Sequence, residues 1–279
     1  MAEGEPLGLI AGNGRFPFLA AAGARRAGRR VVGLAIREET DPALESEVDE
    51  LHWVGLGQLG KAIAILRRAG VREAVMAGQV KHRQLFSGVV PDLKLVGVLA
   101  RLALRNTDSL IGGVASALSR EGITLLPSVA FLADQLAEAG AMTRLAPSRT
   151  QRADLEYGER VARTLAAMDL GQTAVVKGRA AVALEAMEGT DEVIRRAGRL
   201  AGPGTVVVKV SKPRQDMRFD VPVIGAGTHE AMGEAGAKVL AVDAGRTLII
   251  DKPAFLERAE VSGMVVWGLE PPEEKGDDA

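Results

Sequence analysis

The chain has 279 residues, 35 Lys and Arg against 36 Asp and Glu, a formal net charge of −1, 47% hydrophobic residues, 3% aromatic residues and no cysteine. That balance excludes a basic footprint for a polyanion, and so few rings leave no stacking platform for single-stranded nucleic acid. Without cysteine there is no disulfide framework, thiolate zinc site or cysteine nucleophile, and the core must be built from Ala, Val, Leu and Ile.

The first half alternates strand-like and helix-like runs. LGLIA (7–11) reads as a short buried strand, followed by a helix over 16–27, a strand at VVGLAI (31–36) and a third at ELHWVG (50–55). LGKAIAILRRAG (59–70) has helical spacing and a terminal glycine, EAVMAG (73–78) is another glycine-ended strand, and PDLKLVGVLARLAL (91–104) is a helix with proline near its start. A helix over 107–122 with Thr107 or Asp108 as N-cap, a strand at ITLLPS (123–128) and a helix at AFLADQLAEAG (130–140) complete this half. The alternation predicts a Rossmann-like α/β domain over 1–140, its parallel sheet covered on both faces.

Residues 141–152, AMTRLAPSRTQR, break the pattern and read as a linker. A distinct α/β domain is predicted over 153–270. It has a helix over 153–171, a hairpin of TAVVKG and AAVALEAM, a helix at 190–200 and a strong strand TVVVKVSK (205–212). The polar loop PRQDMRFD (213–220) follows, then VPVIG, a helix at 228–236, strands KVLAVDA and TLIID, a helix from Lys252 and a last strand MVVWGL. The charged, non-periodic end predicts a disordered tail over 271–279. MAEGEPLGLIAG has no basic n-region with a long apolar run, and no apolar stretch has the length of a bilayer span, which suits a cytoplasmic protein.

Three stretches carry chemistry. Gly12-Asn13-Gly14 follows the first strand, but a dinucleotide fingerprint requires G-x-G-x-x-G and the third position is Pro17. Arg37-Glu38 ends the next strand and puts an acid within reach of a ribose; no G-K-[ST] follows the turn as a Walker loop would require. What remains is a sharp turn at a helix N-terminus, whose N–H groups and dipole suit a phosphate or a uridine edge, or else a tight turn that binds nothing. In LEAMEGTDEVIRR (184–196), Thr190 reads as an N-cap, and Asp191 and Glu192 favour the positive helix end. That leaves Glu185, inside an apolar strand, on the surface or poised toward a cleft, with Glu188 three residues on. In VSKPRQDMRFDVPVIG (210–225), Lys212, Arg214 and Arg218 alternate with Asp216 and Asp220 directly after a strand. Carboxylates hold hard cations and Lys or Arg neutralises phosphate oxygens, so the loop suits phosphoryl transfer; the alternative is a solvated, self-paired loop. His52, His82 and His229 are scattered without metal-binding spacing, and His82 shares with Gln79, Lys81 and Arg83 a loop that reads equally as ligand-facing or as plain basic surface.

Taken together, LGLIAGNGRFP, GQLGKAIAILRRAGV, AVMAGQV, MDLGQTAVV, ALEAMEGTDEVIRR and SKPRQDMRFDVPVIG resemble one family over nearly the whole chain. It is the non-calcineurin type of UDP-2,3-diacylglucosamine pyrophosphatase, from lipid A biosynthesis in Gram-negative bacteria. The E-G-T-D turn and the K-P-x-Q-D-x-R-x-D-x-P-x-I-G loop are its specific marks; the D-x-H, G-D and G-N-H set of the metallophosphoesterase enzymes for the same step is absent.

The resemblance implies a hydrolase that uses Mg²⁺ or Mn²⁺ and yields UMP and 2,3-diacylglucosamine 1-phosphate (lipid X), with substrate between a nucleotide-binding-like domain and a C-terminal catalytic domain. It puts the family's essential aspartate at Asp220; Lys212 and Arg218, cations of the same loop, are expected as catalytic partners that stabilise the developing charge or the leaving phosphate. Asp216, Glu188 and Asp191 join Asp220 as metal-ligand candidates; Gly12, Asn13, Gly14, Gly78, Gln79, Gln172, Thr190 and Gln215 are candidates for binding substrate. QVKHRQL departs from the family's R-P after A-G-x-V, so no ligand role is carried over to Lys81–Arg83. The implied partners are a glycolipid-nucleotide substrate, a transient peripheral contact with the inner membrane and a second copy as homodimer, with no nucleic acid. The acyl chains call for apolar surface on helix 91–104 or 107–119. The competing readings are an NAD(P)-linked oxidoreductase, against which Pro17 speaks, and a non-catalytic nucleotide-binding protein, which would not need the Asp/Arg loop.

Overall fold

The structure is a computed structural model that describes residues 4–37, 39–80, 91–100, 107–213 and 215–270. Glu38, Lys81, His82, Arg83, Arg214 and the tail over 271–279, all singled out above, lie outside the described residues, as do residues 101–104 of the expected 91–104 helix. The chain forms two compact units. The first joins the residues up to Leu132 to Asp216–Asp220, and the second joins Ala133–Gln215 to the residues from Val221 onward.

The first unit is the expected parallel-sheet domain. Its strands β1 (Pro6–Ala11), β2 (Arg30–Ile36), β3 (Glu50–Val54), β4 (Glu73–Ala77) and β5 (Thr124–Leu125) are ordered β3-β2-β1-β4-β5 and all pair in parallel. Helix α1 (Phe16–Arg26) lays Ala20, Ala21 and Ala24 against Leu7, Leu9 and Val31 on one face. Helices α2 (Leu59–Arg68), α3 (Leu93–Leu99) and α4 (Thr107–Arg120) cover Val32, Leu34 and Ala74 on the other, through Ile63, Leu66, Leu95, Val98 and Leu118. Each fully buried Leu or Val contributes roughly 1.5–3 kcal/mol by leaving water, so a core almost without aromatic rings suffices. The strand expected over 123–128 pairs only at Thr124–Leu125.

The second unit carries a six-stranded mixed sheet of order β6-β13-β11-β9-β7-β8. Its strands are β6 (Gly140–Ala141), β7 (Thr173–Lys177), β8 (Ala180–Leu184), β9 (Val206–Lys209), β11 (Val239–Asp243) and β13 (Val265–Leu269); β10 (Val223–Ile224) and β12 (Leu248–Ile249) form a separate parallel pair. β9, β11 and β13 run parallel, and the β7–β8 hairpin is antiparallel as expected. Helix α5 (Arg149–Ala167) covers one face; α6 (Thr190–Ala201), α7 (Ala226–Ala235) and α8 (Lys252–Val261) cover the other. α5 starts inside the expected linker because Ser148 and Gln151 form a reciprocal capping box at its N-terminus.

The expected helix over 130–140 is absent. Only a 3₁₀ turn at Ala133–Gln135 forms. The reason is competition for backbone groups. Leu136 bridges Leu248, the Ala137 N–H donates to Thr247 O at 2.9 Å, and Lys252 Nζ donates to Leu136 O at 2.7 Å. A helix would need those same groups for its own ladder.

Candidate active site

In the first unit the chain order reverses beside β1: β2 and β3 lie on one side, β4 and β5 on the other. Ligands of open α/β sheets bind at such a switch point, outside the carboxyl ends of the strands. Here that place holds the turn after β1 and the turn after β4. The Gly12 N–H donates to Ala77 O and the Asn13 N–H to Gln79 O, both at 2.8 Å, and Asn13 and Gln79 form a bridge. The structure therefore brings together Gly12, Asn13, Gly14, Gly78 and Gln79, five of the residues singled out for substrate.

It also corrects how they act. The N–H groups of Gly12 and Asn13 are engaged by β4 and its turn, so they are not the donors for a nucleotide. The glycines serve instead by lacking a side chain. A Cβ on Gly12 would lie 2.5 Å from Gln79 O; one on Gly78, at φ +90°, would lie 2.5 Å from Asn13 O and 3.0 Å from Pro17 Cγ. Pro17 itself falls in the first turn of α1, where its missing N–H does no harm. Asn13 Nδ2 donates to Glu39 Oε2 at 2.8 Å, and Thr40 Oγ1 donates to Ala11 O, tying the turn after β2 into the same place. Gly12→Ala is expected to destabilise the first unit by more than about 1 kcal/mol, read as a lowered thermal midpoint.

The Asp/Arg loop is short and self-paired. Phe219 and Asp220 N–H groups both donate to Asp216 O, closing one tight turn. Ser128, just beyond β5, fixes that turn: its N–H donates to Met217 O at 2.7 Å and its Oγ to Arg218 O at 2.8 Å. Arg218 grips both oxygens of Asp216, Nε to Oδ1 at 2.9 Å and Nη2 to Oδ2 at 2.6 Å. These hydrogen bonds hold the Asp216 carboxyl below the ordinary aspartate range, against the opposing effect of burial. The loop thus keeps this pair on acidification until the pH falls below the usual aspartate titration.

In the second unit Lys212 pairs with Asp169 at 2.8 Å, and its N–H donates to Gln215 Oε1 at 2.7 Å, so Gln215 closes the turn that leaves β9. Glu188 pairs with Arg196; hydrogen bonds from its own N–H and then from that guanidinium hold its carboxyl low. Asp191 accepts from Thr228 Oγ1 at 2.9 Å, joining α6 to α7. The four carboxylates named for a metal are thus divided between two units, and all four have partners within the protein. Among the described residues no group of three or more His, Asp or Glu side chains could hold a metal ion.

The strongest cluster in this unit joins Thr190 and Glu185 to Lys209, a residue absent from the candidates above. Lys209 ends β9 and is 5% exposed; its Nζ donates to Thr190 Oγ1 at 2.8 Å. Thr190 Oγ1 donates to Glu185 Oε1 at 3.1 Å, and Glu185 Oε2 accepts from the Gln172 N–H at 3.2 Å. Glu185, expected at the surface or a cleft, is 7% exposed and enclosed in this network. The one sequence signal was a lysine interrupting the apolar run TVVVKV. Beside it, Asp243 at the end of β11 is fully buried. It accepts from both Arg163 Nη atoms at 2.7 Å and from the Ser211 N–H at 2.6 Å. Burial lowers the Arg163 pKa, and the Asp243 carboxylate, with Glu159, outweighs it, so the guanidinium lies above its ordinary value.

Comparison with known proteins places the chain. Residues 6–135 match the model of the LpxI N-terminal domain and residues 138–267 that of the LpxI C-terminal domain. The chain is 32% identical over 278 residues to the UDP-2,3-diacylglucosamine pyrophosphatase LpxI of Caulobacter vibrioides, covering 96% of this chain and 98% of that one. The chain belongs to the LpxI family. The two LpxI domain models meet close to the division between the two units at Leu132, while Asp216–Asp220, inside the LpxI C-terminal match, group with the first unit. Solved structures give only faint likenesses. The crystal structure of gox2253 has 15% identity and a TM-score of 0.32, covering 94% of this chain and 78% of that one. A putative epimerase from Burkholderia cenocepacia has 15% identity and a TM-score of 0.31, covering 97% and 86%. Neither carries an argument.

The apolar surface sought for acyl chains is limited. In α3, Leu95 and Val98 are core residues, whereas Leu93 and Val96 are exposed; in α4, Ala115 and Leu118 are buried. Among the described residues no helix is long and apolar enough to cross a membrane.

Proposed function

We propose that this protein hydrolyses the pyrophosphate bond of UDP-2,3-diacylglucosamine, yielding UMP and 2,3-diacylglucosamine 1-phosphate as a step of lipid A biosynthesis. The observation that carries this reading is the end-to-end match to a pyrophosphatase of that name. The switch-point turns of Gly12–Gly14 and Gly78-Gln79, at the carboxyl ends of parallel strands, support a nucleotide end seated in the first unit. The turn fixed by Ser128 presents Asp220 and the Arg218–Asp216 pair at the β5 end of the same unit. In this reading Asp220 acts on the phosphoanhydride or its attacking water, and Arg218 and Lys212 balance developing charge. Gln172 and Gln215 are substrate-binding residues in this reading, and Thr190 acts through its bond to Lys209.

A requirement for Mg²⁺ or Mn²⁺ belongs to the proposal as something to be measured, since the carboxylates as arranged assign no ligand set. So do a cytoplasmic location in a Gram-negative cell, a passing contact with the inner membrane where a diacylated substrate resides, and a homodimer. Incubation of the full chain with UDP-2,3-diacylglucosamine and Mg²⁺ should release UMP, and EDTA should stop the release. Absence of UMP at any divalent cation would overturn the activity. UMP release unaffected by EDTA would overturn the metal requirement alone.

A further inference from the structure

We propose that Lys209 is a further cation, in the second unit, that meets the substrate's pyrophosphate, and that Thr190 and Glu185 are its positioning residues. This rests on the hydrolase reading above and deepens it.

Protons decide the roles. Thr190 has one hydroxyl proton, and at 3.1 Å it goes to Glu185 Oε1. The same oxygen accepts from Lys209 Nζ at 2.8 Å. Bonded in this way, Thr190 has no proton left to offer a phosphate oxygen, so the residue marked by the E-G-T-D turn orients a donor rather than being one. The donor is the ammonium, one of whose three N–H bonds is aimed by the Thr190 lone pair. Both Glu185 oxygens accept from protein, Oε1 from Thr190 and Oε2 from the Gln172 N–H, so the carboxylate is anchored and not turned toward a ligand. Thr173, paired with Lys209 across the β7–β9 ladder, brings its Oγ1 within 3.4 Å of Thr190 Oγ1 and closes the group.

Three further observations favour a ligand over a mere structural pin. Ser211, two residues beyond Lys209 and only 4% exposed, has a buried Oγ without a hydrogen-bond partner among the described residues. Native proteins leave few such atoms, and each calls for an explanation, a bound group among them. Lys209 stands at the carboxyl end of a parallel strand, the end at which α/β sheets bind ligands, three residues before Lys212. Burying an ammonium and a carboxylate is unfavourable before pairing, and a purely packing role would avoid it with apolar residues.

The test uses the full chain and two sets of variants. Lys209→Met combined with Glu185→Gln removes both buried charges together, so that neither is left unpaired; its thermal midpoint should stay near that of the parent while kcat for UMP release falls about 100-fold or more. Thr190→Val keeps the ammonium but frees its direction; it should lower kcat/KM about tenfold or more, and Thr190→Ser should restore most of that loss. Binding of inorganic pyrophosphate, followed by calorimetry, should weaken in the Lys209→Met/Glu185→Gln chain, which reports on the cation independently of turnover. A folded double variant with parental kcat and pyrophosphate affinity overturns the proposal. If the double variant does not fold, a Thr190→Val chain with parental kcat/KM overturns it. If the parent binds pyrophosphate through Lys209 but never releases UMP, the hydrolase reading fails while the anion site stands.

Discussion

Asp220→Ala is expected to slow UMP release from UDP-2,3-diacylglucosamine by at least about a hundredfold, with a thermal midpoint within a few degrees of the parent. Backbone groups hold the turn that carries Asp220. Its backbone is closed by bonds to Asp216 O and fixed by Ser128 on Met217 and Arg218. Truncation therefore removes a carboxylate without removing the loop. Asp216 is a poor substitute, because Arg218 already takes both of its oxygens. Steady-state UMP release beside a melting curve makes the measurement; a rate within about threefold of the parent would take Asp220 out of the reaction, whatever its place in the loop.

The largest loss of stability is expected from Asp243→Ala. Asp243 is fully buried, and its removal leaves the half-buried Arg163 guanidinium with Glu159 in place of a two-point pair and the Ser211 N–H without its acceptor. Breaking a buried pair on one side costs about 3–5 kcal/mol, because the remaining charge stays out of water. Urea unfolding should show the midpoint falling accordingly, with Asp243→Asn intermediate, since an amide oxygen still accepts one of these bonds. Because the Ser211 N–H stands at the root of the segment leading to Lys212 and the Asp/Arg loop, surviving Asp243→Asn protein should also turn over more slowly. An unchanged urea midpoint in Asp243→Ala would show that Arg163 finds water or another acceptor.

Elements whose signals are local could be read directly. The alternating apolar runs predicted the parallel sheet of the first unit, and the glycine-ended strands at Ala11 and Ala77 lie side by side at its carboxyl end. The hairpin around Gly178-Arg179 and the glycine-capped α6 were legible for the same reason, each being decided within a few residues. AFLADQLAEAG shows where this fails. Its spacing is helical, but Thr247, Leu248 and Lys252, more than a hundred residues away, claim its backbone and side chains. Propensity is worth tenths of a kcal/mol per residue and yields to such pairing.

The candidate site divides in the same way. The residue types of the Asp/Arg loop, the glycine turns and the membership of the chain in its family were all present in the sequence, because they are runs of neighbouring residues. Which charge meets which was not. Arg218 neutralises Asp216, and Lys212 is held by Asp169. A lysine inside an apolar strand finds Thr190 and Glu185. By itself the sequence determined two α/β units, the turn after β1 and the loop that ends at Asp220. Only the tertiary structure decided that this loop groups with the first unit, that the Gly12 and Asn13 N–H groups are already engaged, and that Lys209 is buried with its ammonium aimed. Those are contacts between residues 19 to 90 positions apart, and hydropathy periods and capping signals, which extend over a few turns or strands at most, carry no record of them.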